Sequence, residues 1–395
     1  MNDNSIETTL TTRTRPNCLH YINLVWNGLL FLSLSFLSVG SLIGALRQDF
    51  NSGFGMVSER VYYLLAYFLG FLAIIALIAF IGSVRKVGNK SKASRDNKAK
   101  GLYFVIFAFP LLLYALVSWD NPDLLPDWLF SILVFLAILV PLVWIVRLAS
   151  GRLWGRHVAR CASIITWTVG VSTPFMMLVQ SLLVLLLILV LVATGGNEIF
   201  RIFAMGDFEA LLSLPTVLIS TFLLLSVFAP VIEELFKTLA LWPLLGLRIT
   251  PEEGYKAGLL SGAAFAFIEG SLFATQAAMG PGTDWVFFIL GRFGGSLLHI
   301  FNGGIIGWAL AKTWLDKKFY RAVLAYLIAM VIHGLWNGIV FLAQLLPTML
   351  GKEYDMTLLS ILMLALGILV AGGFAIFVRH ISRGLKQQRL EHYVT

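Results

Sequence analysis

Charge is what this chain has least of. Only 13% of its 395 residues are charged, against about 25% in soluble domains. The excluded classes are a soluble enzyme, a disordered chain and a collagen-like fibre. Cysteine is equally scarce. Cys18 and Cys161 are the two present, so no disulfide framework is expected. Both map near the cytosolic face, where thiols stay reduced. There is no long linker and no clear internal repeat, and 85–100 is the one low-complexity polar stretch. A cleaved leader is not expected, because the first apolar run, 21–46, exceeds the roughly 7–15 residues of a signal-peptide core. No serine nucleophile elbow, HExxH zinc motif, phosphate-binding loop or dinucleotide glycine loop occurs at a suitable place.

What is abundant is apolar sequence. Hydrophobic residues make up 58% of the chain, and mean hydropathy is +0.86. A bilayer crossing needs roughly 20 apolar residues. Runs of that kind lie near 21–46, 61–84, 101–119, 128–149, 172–194, 216–246, 257–279, 286–311, 322–346 and 357–378. The expected fold is therefore all-α, a polytopic integral membrane protein with about 10 transmembrane helices. The stretch 157–171 either extends the fifth span or lies in the interface.

The formal charge of +8 follows membrane topology and does not point to nucleic acid. With the N-terminus inside, the inner segments hold 23 of the 29 basic residues, as the positive-inside rule requires. The loop RKVGNKSKASRDNKAK, 85–100, carries seven of them, and Arg379, Arg383, Lys386 and Arg389 mark the tail. The outer loops hold Arg47, Arg60, Arg201 and Lys352 and include the acidic DNPDLLPD, 120–127. Both termini are therefore expected on the cytosolic side. Basic runs facing anionic head groups need no other partner. A weak boundary at 150–160 divides the chain into an N-terminal four-span region (1–155), a second membrane region (156–380) and a basic cytosolic tail (381–395).

The informative residues are the ionisable ones inside the spans, each costing about 2.5–3.5 kcal/mol at mid-membrane on insertion scales. They are Glu233, Glu234, Lys237, Glu269, Arg292, His299 and His333. In APVIEELFKTLAL, 229–241, helical spacing puts Glu233 and Lys237 on one face with Glu234 beside them. Two adjacent carboxylates at low dielectric do not readily both ionise. One protonated and one ionised acid, tuned by Lys237, is an arrangement suited to acid–base work on water. A buried salt bridge that locks packing is the bland alternative, and one Glu with one Lys would suffice for it.

In SGAAFAFIEGSLF, 261–273, Phe265 and Glu269 share a face. Gly258, Gly262, Ala266 and Gly270 form a row that admits a close helix neighbour. Gly291, Gly295, Gly303 and Gly307 repeat likewise around His299. Arg292 lies nearer the outer end and is expected to snorkel or pair with an acid. In VIHGLWNGIV, 331–340, His333 and Asn337 share a face. His can act as base, acid or electrophile, and Asn can donate to an oxyanion. The alternatives are a proton relay or cation ligand for Glu269, a bond to a backbone carbonyl at a tight crossing for His299, and a helix–helix hydrogen bond for His333 and Asn337.

The order Glu-Glu-x-x-Lys (233–237), Phe-x-x-x-Glu (265–269), His299 and His-x-x-x-Asn (333–337) resembles the PrsW family of intramembrane peptidases. The resemblance covers about 160–380. The related CAAX-type membrane proteases carry Glu-Glu-x-x-x-Arg and Phe-x-x-x-His at these places, so Lys237 and Glu269 favour the PrsW branch. The family pattern at the last motif is His-x-x-x-Asp. Asn337 departs from it and cannot serve as a base or an anionic metal ligand.

The resemblance implies a membrane endopeptidase of glutamic type in a bacterial plasma membrane. Its substrate would be a membrane protein, such as a single-span anti-sigma factor in stress signalling. The site set is Glu233, Glu234, Lys237, Glu269, His299, His333 and Asn337. The two adjacent glutamates would activate water, Glu269 and His299 orient it, and His333 and Asn337 stabilise the oxyanion. No cofactor is expected in this reading. A variant holds zinc on His299, His333 and a Glu. From other classes, a proton-coupled transporter would also keep Glu, Lys and His in the membrane, and a non-catalytic scaffold or sensor would hold a partner helix. Oligomeric state is not encoded in any of these patterns.

Overall fold

The computed structural model describes residues 18–46, 59–87, 125–150, 158–244, 249–278, 285–350, 365, 367–377 and 379. Among the described residues all regular structure is helical. In chain order it comprises α1 (Cys18–Leu46), α2 (Glu59–Val87), α3 (Asp127–Ser150), α4 (Val158–Trp167), a π-helical turn (Thr168–Ser172), α5 (Thr173–Met205), α6 (Phe208–Ser213) and α7 (Pro215–Leu223). A second π turn (Leu224–Phe228), α8 (Ala229–Lys237), a 3-10 segment (Thr238–Leu244), α9 (Pro251–Ala278), α10 (Trp285–Asp316) and α11 (Tyr320–Leu350) follow. A short apolar helix, α12 (Gly367–Phe377), ends the order.

Eight helical stretches are long and apolar enough to cross a membrane, and the chain is an all-α integral membrane protein. The expected span 101–119 lies outside the described residues, as does much of 357–378. The stretch left open at 157–171 is continuous with the fifth span, which runs Val158–Gly195.

Hydropathy separates the most enclosed spans from the rest. The two least hydrophobic, Pro251–Gln276 and Gly291–Asp316 (mean hydropathy 1.5 and 1.2), are the most enclosed, at 72% and 78% buried. Val158–Gly195, at hydropathy 3.0, is only 6% buried. Helices shielded by protein can carry many glycines and polar groups, whereas on a lipid-facing helix each such group is costly.

The central α9–α10 pair is a backbone-to-backbone contact made by glycine. A Cβ at Gly258 would lie 1.9 Å from the Gly303 carbonyl oxygen, and one at Gly262 would lie 2.2 Å from that of His299. Conversely, a Cβ at Gly307 would meet the Gly254 carbonyl oxygen at 2.3 Å. The working stripe is thus 254/258/262 on 303/307. The outer members of the expected rows do other things. Gly270 faces Ile138 of α3, while Gly291 has open space around it. The entry angle of α9 is set by a capping box: Thr250 Oγ1 accepts from Glu253 N–H (3.2 Å), and Glu253 Oε2 accepts from Thr250 N–H (2.9 Å).

Both π turns stand two residues before a proline, Pro174 and Pro230. Proline has no N–H to give the preceding turn, so carbonyls there need other donors. The wide turns deliver α5 and α8, which carry site residues, in keeping with the tendency of π turns to sit at functional places. The N-terminal helices lock onto this core through buried polar groups. Asn27 of α1 donates to Ser83 of α2 (3.3 Å) and accepts from Thr166 of α4 (2.8 Å). One hydrophobic core runs through α2, α3, α9, α10 and α12.

Gly258→Ala is expected to lower the Tm of the detergent-solubilised protein, since overpacking a tight contact costs about 1–3 kcal/mol. Gly291→Ala should leave Tm within error. Equal Tm values for the two variants would contradict the close α9–α10 crossing.

Candidate active site

The site is built on α8, where Glu233, Glu234 and Lys237 are all buried. Two tethers fix this short helix. Ser261 of α9 donates to the Lys237 carbonyl (2.8 Å), and Tyr326 of α11 donates to that of Val231 (2.8 Å).

Glu234 is fully enclosed, and its Oε1 is the hub. It accepts from Lys237 Nζ at 2.7 Å, His333 Nδ1 at 2.7 Å and Asn302 Nδ2 at 3.1 Å. Helical spacing had placed Lys237 with Glu233. The structure pairs it with Glu234, three residues earlier, and turns Glu233 away. Glu233 Oε1 instead accepts from Gln180 Nε2 of α5 at 3.0 Å. Its Oε2 is buried without a hydrogen-bond partner, 3.6 Å from His333 Nε2.

Lys237 also donates to His299 Nδ1 at 2.7 Å, and its ammonium lies 4.3 Å from the centre of the Phe265 ring. That contact gives the Phe of Phe-x-x-x-Glu a physical role: it lends a π face to a desolvated cation. Because the ammonium only donates, His299 Nδ1 accepts, and the ring hydrogen sits on Nε2. From there it is donated to Glu269 Oε2 at 2.6 Å. Arg292 Nη2 donates to the same oxygen at 2.7 Å. Arg292 therefore pairs with an acid, one of its two expected fates. The His299 and His333 rings meet edge to face with centroids 4.9 Å apart.

Six of the seven expected side chains thus converge. Asn337 does not join them. Its amide donates to the Leu225 carbonyl at 3.1 Å, within the second π turn. Pro230 withholds a donor from that turn, and Gly334 lets α11 approach so closely that a Cβ there would sit 2.4 Å from the Ser226 carbonyl oxygen. A donor is what position 337 supplies here, and a carboxylate could not supply it. Three residues of the cluster escaped sequence reasoning as site members. Gln180 was legible as one of two adjacent polar residues in an apolar run, Asn302 as the residue three after His299 on the same helix, and Arg292 as a span cation near an acid.

Among the described residues, Glu233, His299 and His333 could hold a metal ion. One ligand atom from each lies within 4.8 Å of the others, and all three are buried. The donor chemistry fits. His333 gives its Nδ1 hydrogen to Glu234, leaving the Nε2 lone pair toward the orphaned Glu233 Oε2, which is the carboxylate–histidine support seen around metals. His299 would join by losing its Nε2 hydrogen while Lys237 passes a proton to Nδ1, so that binding the ion releases one proton. The expectation of a site without a cofactor is not supported by this arrangement.

Asn337→Asp is expected to lower Tm and activity, because the carboxylate repels the Leu225 carbonyl that the amide caps. A hydrogen bond lost at a half-buried site costs about 1–3 kcal/mol. A variant more active than wild type would mean that position 337 acts in the site directly.

Residues 159–370, more than half of the chain, match the model of a family described as PrsW family intramembrane metalloprotease. Comparison with curated proteins gives no match, and neither does comparison with solved structures. The matched segment contains the whole buried cluster of two imidazoles, three carboxylates and their cations, and the chain belongs to the PrsW family of intramembrane metalloproteases.

Proposed function

We propose that the protein is a metal-dependent endopeptidase that cuts a membrane-protein substrate within the bilayer zone. The observation that carries this is the unpartnered Glu233 Oε2 facing His333 Nε2 at 3.6 Å, with His299 alongside. Glu233, His299 and His333 are the proposed ligands. A divalent metal held there would polarise the scissile carbonyl and make a bound water a better nucleophile at neutral pH.

The remaining roles belong to the chain's own groups. Glu234 orients His333 by taking its Nδ1 hydrogen, and Lys237 balances the Glu234 charge. Gln180 holds Glu233 Oε1, which leaves Oε2 to face the site. Glu269 is the proposed general base. It is the most open acid of the cluster, its side chain 24% exposed, and only its Oε2 is engaged. It would take a proton from water and return it to the leaving amine. Arg292 and His299 fix its position. Asn337 supports the second π turn in place of the oxyanion role expected for it.

The glutamic-type alternative keeps one observation on its side: the two adjacent acids sit in different environments, Glu234 ion-paired and Glu233 not. In that reading Glu233 itself activates water.

The substrate must be unwound locally, because helical peptide bonds are shielded by their own hydrogen bonds. Residues 156–380 would form the catalytic core, 1–155 a region packed on it, and 381–395 a basic tail. The distribution of Lys and Arg supports both termini on the cytosolic side, and the family resemblance points to a bacterial plasma membrane, where cleavage of an anti-sigma factor would be one use.

Purified wild type is expected to hold about one zinc per chain. Chelation should abolish cleavage and added zinc should restore it, while His333→Ala and Glu233→Gln should be folded but metal-poor. Full activity in a preparation shown to be metal-free would overturn this mechanism in favour of the glutamic one.

A further inference from the structure

Resting on the peptidase reading, we infer that the outer face of α5 is the docking groove for the substrate's membrane segment, and that Gln180 and Ser181 receive its unwound backbone. A groove of about 350 Å³ is lined by Met177, Gln180, Ser181, Val184, Leu185 and Ile188. These six positions fall on one side of α5.

Three observations set this face apart from an ordinary lipid contact. First, it opens onto the site, because Gln180 lines the groove and also donates to Glu233. Second, Gln180 and Ser181 are the only polar residues between Thr173 and Thr194. Thr194 satisfies its hydroxyl on the Val190 carbonyl four residues back, as hydroxyls in membrane helices commonly do. Among the described residues the exposed Ser181 hydroxyl has no such partner, and the Gln180 carbonyl oxygen has none either. Third, among the described residues the span holding α5 is the least enclosed of the eight at 6% buried, which leaves this face to a second helix from the bilayer.

The chemistry matches the need of the reaction. An unwound peptide in hydrocarbon must find partners for its freed N–H and C=O groups. The Gln180 carbonyl can accept an N–H, and the Ser181 hydroxyl can donate to a C=O, next to the carboxylate of Glu233. Met177, Val184, Leu185 and Ile188 cover the apolar side chains on either side. The proposed occupant is one apolar substrate segment, helical along Val184–Ile188 and extended at Gln180.

The test uses full-length protein in its own membranes. New protein N-termini are profiled for wild type, Glu234→Gln, Ser181→Ala, Val184→Trp and Leu186→Trp, the last on the opposite lipid face. In parallel, a photo-crosslinking phenylalanine is placed at position 184 in the Glu234→Gln protein. Expected are Glu234-dependent termini that fall about tenfold with Val184→Trp and about threefold with Ser181→Ala, while Leu186→Trp matches wild type. The crosslinked proteins should be the same ones that acquire new termini. Undiminished termini in Val184→Trp, or a crosslink to residues 101–119 of the same chain, would overturn the groove while leaving the peptidase reading intact. No Glu234-dependent termini in wild type would remove the peptidase reading and the groove with it.

Discussion

One oxygen atom organises this site. Glu234 Oε1 accepts hydrogen bonds from three different helices, through Lys237, Asn302 and His333. A carboxylate with no exposure is tolerable only when its charge is balanced and it is hydrogen-bonded; here Oε1 takes all three bonds, and Oε2 is buried without a partner among the described residues. Lys237 provides the charge, and it is in turn satisfied by His299 and the Phe265 ring. Each imidazole is therefore set in one tautomer by its neighbour. His333 shows a lone pair to the site and His299 shows a hydrogen to Glu269. The reactive geometry follows from the need to bury one ion pair.

The helices bring these groups together by giving up ordinary packing. The α9–α10 crossing has glycine against carbonyl, which seats Glu269 and His299 beside α8. Two prolines widen the turns before α5 and α8, and the carbonyl at Leu225 is capped by Asn337. The site is enclosed on the side of α9 and α10 and thinly covered on the side of α5. Enclosure holds the charges, and among the described residues the α5 flank is the open one, the side on which the proposed substrate segment would reach Glu233.

Much of this was legible in the sequence, for a simple reason. In lipid, every ionisable residue is conspicuous, so Glu233, Glu234, Lys237, Glu269, His299 and His333 stood out without any fold. Hydropathy also marked the eight spans that the described residues contain, and glycine spacing marked faces of α9 and α10 that admit a close neighbour without saying that they pack on each other. Pairing was harder to read. Spacing of four favoured Glu233 with Lys237, but both Glu233 and Glu234 lie within reach of Lys237 on one helix. Only the arrival of Asn302 and His333 from other helices selects Glu234. Asn337 was misplaced for a related reason. It shares a helical face with His333, yet the carbonyl it caps is freed by Pro230, a residue more than a hundred positions away in the chain. The cofactor-free expectation came from the glutamic-type reading, and zinc ranked below it because no helix carries a pair of metal-binding histidines. Here α10 and α11 each bring one.

The central claim is that Glu234 holds the site together while Glu233 faces the chemistry. Comparing thermal unfolding and cleavage for Glu233→Gln and Glu234→Gln tests it directly. The account predicts that, with both proteins compared metal-free after chelation, Glu233→Gln keeps the wild-type Tm, and that it lacks cleavage even when zinc is added back. Glu234→Gln should lose cleavage and also several degrees of Tm, since stranding the buried Lys237 costs about 3–5 kcal/mol. A Glu234→Gln protein as stable as wild type, with Glu233→Gln the one that unfolds early, would contradict it.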